Sequence, residues 1–319
     1  MTELRQMPAD LAAVDAWLRD AIAATPGGSD ACAWGDREAA LVAAGAVDDL
    51  AFGQRLAAAS RYTPRGPLDP SEASRGAASQ LLDGWNPERW TTLDAQRVRL
   101  VLARALASAE SLPEALELAF RYADEGELCA LYRSLQFLPD PQRYTWRAGE
   151  GCRTNMRTVF EACALDSAYP STALDDVAWR QLVIKCLFIE SPLWRCSGLD
   201  GRLDDELSRM ALDLVEERRS AGRRIQPELW LCLGATSDPR GLPALEAELA
   251  GQDELGRKAA ILALGRLGAT DRLEKIRRDG GSIFGPVAEW ALMGRHDQTA
   301  FRSVSPADGA VPSATTADA

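Results

Sequence analysis

Histidine occurs once in the 319 residues, at His296, and lysine three times, at Lys185, Lys258 and Lys275. A lone histidine beside the C-terminal tail gives a Ser-His-Asp or Cys-His arrangement no firm footing. No HExxH, HxH or clustered Cys/His set exists to hold zinc. No catalytic residue, metal ligand or cofactor is therefore expected. There is no Cys-x-x-Cys pair either; cysteines 32, 129, 152, 163, 186, 196 and 232 are odd in number and far apart. That usage reads as reduced, mostly buried thiols of a cytoplasmic protein. No run of about eighteen apolar residues is present, so no transmembrane span is expected. The opening "MTELRQMPAD" carries an acidic Glu3 and no basic-then-apolar secretory pattern. No long basic run offsets a net charge of -11 and a pI near 4.8, which argues against nucleic acid and anionic membranes as partners. Finally, no segment alternates apolar and polar residues long enough to predict a strand.

What is present favours helices: 46% hydrophobic residues, many of them Ala and Leu, and 26% charged residues dominated by Arg. The expected fold class is all-α, with helical hairpins stacked as an α-solenoid-like array and HEAT-like C-terminal repeats. An opening helix is predicted from Asp10 to Ala23 with Leu11, Val14, Trp17, Leu18 and Ile22 on one face. Alanine-rich helices follow to Tyr62. The segment "TPRGPLDPSEASRG", with three prolines and two glycines, reads as an irregular connection. "TTLDAQRVRLVLARALA" predicts a helix capped at Thr91 or Thr92, with Val98, Val101, Leu102 and Ala105 inward. Helices over Pro113 to Ala123 and Glu125 to Phe137 come next. "DDVAWRQLVIKCLFIE" is apolar on nearly every side, which predicts the central, fully surrounded helix. A further helix from Asp204 to Arg219 presents Leu207, Met210, Ala211, Leu214 and Val215. Core packing is the expectation for Trp85, Trp90, Trp146, Trp179, Trp194, Trp230 and Trp290.

Near the C-terminus, "LGATSDPRGLPALEAELAG" and "LGATDRLEKIRRDGG" read as two copies of one unit, with Leu233-Gly234 answered by Leu267-Gly268 and Asp238 by Asp271. In each, an apolar helix ends at Gly, an Asp-containing turn follows, and a second helix begins, which is the form of a HEAT-like hairpin. The expected organisation is N-terminal helices with a Pro-rich connection over 1–70, a central helical region over 71–225, HEAT-like hairpins over 226–300 and a disordered tail over 301–319.

The stretch "CRTNMRTVFEA" carries the sharpest chemistry. A helix begun near Glu150 places Glu150, Arg153, Arg157 and Glu161 on one stripe and Cys152, Met156, Val159, Phe160 and Cys163 opposite. Those charges form either a self-neutralising ladder on a solvated face or one wall of an anion site. Lys185 sits among Ala178, Gln181, Leu182, Phe188 and Ile189, so its ammonium must reach solvent, lose its proton, or pair with a carboxylate such as Glu161. In the site reading, Arg153, Asn155, Arg157, Glu161, Gln181 and Lys185 converge as ligand-binding residues.

"ELCALYRSLQFLPDP", "GEGCRTNMRTVFEACALDSAYP", "WRQLVIKCLF" and "ERRSAGRRIQPELW", in this order, resemble the EboA family of bacterial metabolite-traffic proteins over Thr92 to Leu233. The chain has Ser167-Ala168-Tyr169-Pro170 where the family pattern has Asn-Pro-Tyr-Pro, and Glu216-Glu217-Arg218 where it has His-Glu-Arg, so no family histidine is carried over. The resemblance implies a cytoplasmic protein encoded with a prenyltransferase-like membrane protein, TatD-like hydrolases and a sugar-phosphate-cyclase-like enzyme, in a system that moves biosynthetic precursors toward the periplasm. The resulting expectation is a non-catalytic adaptor or carrier whose partners are other proteins of that system and an anionic small molecule. The alternative is an enzyme on an anionic or prenylated metabolite, with Glu161 as acid/base and Arg153, Arg157 and Lys185 holding the charge.

Overall fold

The computed structural model describes residues 9–234 and 238–306. Among them the chain is all-α, with stacked helices and no strand, consistent with an α-solenoid-like fold. The helices start where the sequence supplies oxygen acceptors. Asp10 accepts from the amides of Ala12 and Ala13 at the head of α1 (Leu11–Ala23), and Asp48 from Ala51 at the head of α3 (Asp49–Tyr62). Full capping boxes open α5 (Thr92–Ala107), through Thr91 and Asp94, and α7 (Glu125–Ser134), through Asp124 and Glu127. Two compact units divide between Trp179 and Arg180.

In the first unit, α5 is the helix enclosed on every side. Each residue from Thr92 to Ala105 is buried, with α1, α2 (Gly28–Ala43), α3 and α7 packed around it. Its charged residues do not mark a wet face, because each is paired. Arg99 reaches Asp15 and Asp36, both at 2.8 Å, and Arg97 donates Nε to the Leu56 carbonyl at 3.0 Å. Arg104 meets Asp49 at 3.0 Å, and Asp94 takes Arg133 at 2.6 Å. Burial raises the energy of each unpaired charge by several kcal/mol, so these contacts are a condition for the helix lying here. Trp85, Trp90 and Phe137 complete the core beside it.

The proline-rich segment is more ordered than its composition suggests. An antiparallel bridge joins Pro67 to Thr91, the Leu68 amide donates to the Trp90 carbonyl at 2.8 Å, and α4 (Glu72–Leu81) begins within the segment, capped by Ser71. After α6 (Leu112–Tyr122), α7 continues as a short 3-10 turn over Leu135–Phe137.

The single helix expected from Glu150 through Ala162 is two helices, α8 (Thr145–Arg153) and α9 (Arg157–Ala164). Thr154 Oγ1 accepts from the Met156 amide at 3.2 Å, a local turn that competes with helix continuation. The chain then passes through α10 (Tyr169–Ala173) into α11 (Asp176–Phe188), whose first turn is tied by Ala178 N donating to Asp175 Oδ1 at 2.8 Å. α11 is not the surrounded helix that its apolarity predicts. Val177 and Phe188 are exposed, and so is Gln181.

The second unit holds α12 (Asp205–Ser220), α13 (Gly241–Leu249), α14 (Glu254–Arg266), α15 (Thr270–Asp279) and α16 (Gly281–Leu292). α12 buries Leu207, Ala211, Leu214 and Val215 as its spacing predicts. α14 is the hub, touching α13, α15 and α16 and two 3-10 segments, Pro227–Cys232 and Ala300–Val304. Two helix pairs, α13 with α14 and α15 with α16, follow one another. The segment before Leu233-Gly234 is the 3-10 turn Pro227–Cys232 and not the α-helix the repeat pattern predicts. The tail expectation is corrected at its start, where Phe301 and Val304 are buried. The remainder of the expected tail, 307–319, lies outside the described residues, as do the opening residues 1–8.

Candidate functional site

Of the residues singled out in the sequence, Arg153, Asn155, Arg157 and Glu161 belong to the first unit, and Gln181 and Lys185 to the second. In the first unit, the break at Thr154 turns one stripe into two local ion pairs. Arg153 Nη2 donates to Glu150 Oε1 at 2.6 Å within α8, and Arg157 Nε donates to Glu161 Oε1 at 2.8 Å within α9. Both arginines are well exposed, as are Asn155 and Met156 between them. Met156, expected on the core side, faces outward for the same reason: it lies in the turn and not on a helix face. Val159, Phe160 and Cys163 are buried as expected.

The break leaves α8 with a distinct outer face. Trp146, Glu150 and Arg153 fall at i, i+4 and i+7, which superimposes them on one side of the helix. Trp146, expected in the core, is 62% exposed. Its neighbour Arg147 explains why the indole is nevertheless held. The Arg147 guanidinium lies 4.7 Å from the Trp146 ring centroid and 5.0 Å from that of Phe120, and its charge is met by Glu117. A cation stacked against both rings and anchored by a carboxylate fixes an aromatic side chain that would otherwise be free to rotate. Gly151 brings the helix close enough to do this. A β-carbon there would stand 2.7 Å from the Tyr132 ring and 2.9 Å from Cys163 Sγ, so only glycine allows α8 to sit this near α7 and α9.

In the second unit, Gln181, Lys185 and Phe188 share one side of α11 by their i, i+4 and i+7 spacing. Gln181 and Phe188 are exposed and Lys185 is half-buried. An aromatic residue and a cation thus recur together on a second helix.

Sequence reasoning missed the titratable group in the deepest surroundings. Glu228, in the 3-10 turn, is wholly buried, with Oε2 accepting from the Leu193 amide and Oε1 without a partner. Burial pushes its carboxyl up to about 7, against the lowering effect of Ser305, the Leu193 and Trp194 amides, and Arg195. Nothing in the sequence separates Glu228 from an ordinary surface glutamate, since its enclosure depends on segments over thirty residues away. The thiols of Cys129 and Cys232 are pushed up by burial to about 11 and about 12, which makes them poor nucleophiles. His296 is half-buried against α14, with its carbonyl taking Arg266 Nη1 at 2.7 Å. Among the described residues no helix is long and apolar enough to cross a membrane.

A family model described as "Metabolite traffic protein EboA" matches residues 12–234. The match takes in α1 to α12 and ends before α13. No curated protein and no solved structure matches the chain.

Proposed function

The chain belongs to the EboA family of metabolite traffic proteins, and on that premise we propose that it is a non-catalytic adaptor that docks another protein of the same traffic system through the outer face of α8 and the turn into α9. The reading places it in the cytoplasm, in a system that passes a biosynthetic precursor toward the periplasm. The observation that carries it is Trp146, exposed yet clamped by Arg147, on one face with Glu150 and Arg153 and close in sequence to Asn155, Met156 and Arg157. Trp, Arg and Met are the side chains enriched at protein interfaces, and a few such residues carry most of the binding energy. An aromatic residue already held in place loses little conformational freedom when a partner covers it.

The two ion pairs favour this reading over an anion pocket built on the same arginines. Arg153 and Arg157 are each answered by a carboxylate on their own helix, so the surface is close to neutral and offers a partner both signs of charge. Glu161 is engaged with Arg157, which supports an interface role above that of acid/base. Gln181, Lys185 and Phe188 serve as a second contact patch in the same reading.

Co-purification with the proteins encoded beside this chain in its host tests the proposal. Trp146→Ala combined with Arg153→Glu should reduce recovery of one of those proteins at least about tenfold while leaving thermal unfolding unchanged, because both side chains are exposed. Equal recovery with the variant would sink the docking face.

A further inference from the structure

A hollow of about 330 Å³ opens among α13, α14, α15 and α16, outside the stretch that matches the family. Its floor is apolar, made by Leu249, Ile261, Ile276 and Phe284. Arg257 reaches over this floor from α14, one turn before Ile261, with its guanidinium 3.9 Å from the Phe284 ring centroid. Its Nε is buried and has no hydrogen-bond partner. A buried donor left unmet costs about 1 to 3 kcal/mol, more when it is charged, and so marks a place where an acceptor is missing.

The other charges on the wall decide which acceptor fits. Arg272 and Lys275 extend from α15, and the carboxylates present are Glu246 and Asp279. Glu246 is already taken by Arg272 at 2.9 Å, and Asp279 is exposed at the end of α15. Three cations therefore stand against two carboxylates, and the buried one among them is Arg257. An apolar floor with one unanswered guanidinium over it matches a molecule with an apolar body and one anionic group. The volume lies at the lower end of the range for small-molecule sites.

We infer that this hollow is a binding site for a small amphiphilic organic acid, with the acid on Arg257 and Lys275 and the apolar body on Ile261, Ile276 and Phe284. The site is separate from the α8 face and does not depend on the docking proposal. It gives the C-terminal helix pairs a role that the family-matched region does not supply, which is to hold a small molecule of the kind a traffic protein would carry or sense.

Calorimetric titration of the full chain with octanoate, and with 1-octanol as its uncharged counterpart, tests the inference. Octanoate should bind saturably at one site and at least about tenfold more tightly than octanol, the difference that one charge-assisted hydrogen bond supplies. Arg257→Met should remove that preference, and Ile276→Trp, which fills the hollow, should abolish binding of both. Lys275→Met, at an exposed position, keeps the test open if Arg257→Met unfolds; it should weaken octanoate and leave octanol unchanged. Non-saturable octanoate binding, equal affinity for acid and alcohol, or binding that survives Ile276→Trp would overturn the assignment.

Discussion

At the scale of single residues, charge is a poor guide to exposure in this protein. Arg97, Arg99 and Arg104 read as the wet face of an amphipathic helix, yet all are buried, because Asp15, Asp36, Asp49 and the Leu56 carbonyl come to them from other helices. Partners that far along the chain leave no mark on local periodicity. Glu228 is the extreme case and gives a sign that can be checked. Its carboxyl, pushed up from 4.5 to about 7, keeps its proton in the folded chain over a range in which the unfolded chain has released it. The contribution of this group to stability is therefore full below about pH 4.5 and is lost as the pH rises through about 7. Glu228→Gln should remove that loss, so that the variant gains on the native chain between pH 5 and pH 8 by an amount on the order of a few kcal/mol at most. Urea unfolding of both proteins across that window is the measurement, and parallel profiles would show that the carboxyl is not perturbed.

At the scale of elements, what local chemistry dictates was legible. Asp10, Thr91 and Asp204 cap the helices they were expected to begin, and the inward faces of α1 and α12 follow their spacing. What depends on neighbours was not. The roles of α5 and α11 are exchanged relative to their hydrophobicity, since burial of α5 rests on ion pairs and the apolar α11 leaves Val177 and Phe188 outside. The break between α8 and α9 rests on one hydroxyl, that of Thr154, and on the glycines that weaken the preceding helix. It decides the candidate site, because it parts Arg153 from Arg157 and turns Met156 outward. Gly151 has a consequence of its own. In an isolated helix Gly→Ala is worth up to about 1 kcal/mol of added stability, but here the methyl group would strike the buried Tyr132 ring. Gly151→Ala should cost roughly 1 to 3 kcal/mol in thermal or chemical unfolding. A stabilised variant would mean that α8 does not pack as closely as described.

At the scale of the whole molecule, the all-α class follows from composition and from the lack of alternation, and the family from four short segments in fixed order. The match over residues 12–234 extends that resemblance back to α1 and stops before the last two helix pairs. The hollow around Arg257 was out of reach of sequence reasoning, because it is enclosed by residues of four helices whose separate patterns look like ordinary amphipathic faces. The Trp146 face was missed for the opposite reason, since a tryptophan is by default assigned to a core. The central claim is that the α8 face meets a protein of the traffic system. A photo-crosslinking residue placed at Met156 in the native host, with a second at the exposed Leu50 of α3 as reference, tests it most directly. The account predicts a crosslink from position 156 to a protein encoded beside this chain and none to that protein from position 50; crosslinks of equal yield from both positions, or from neither, would contradict it.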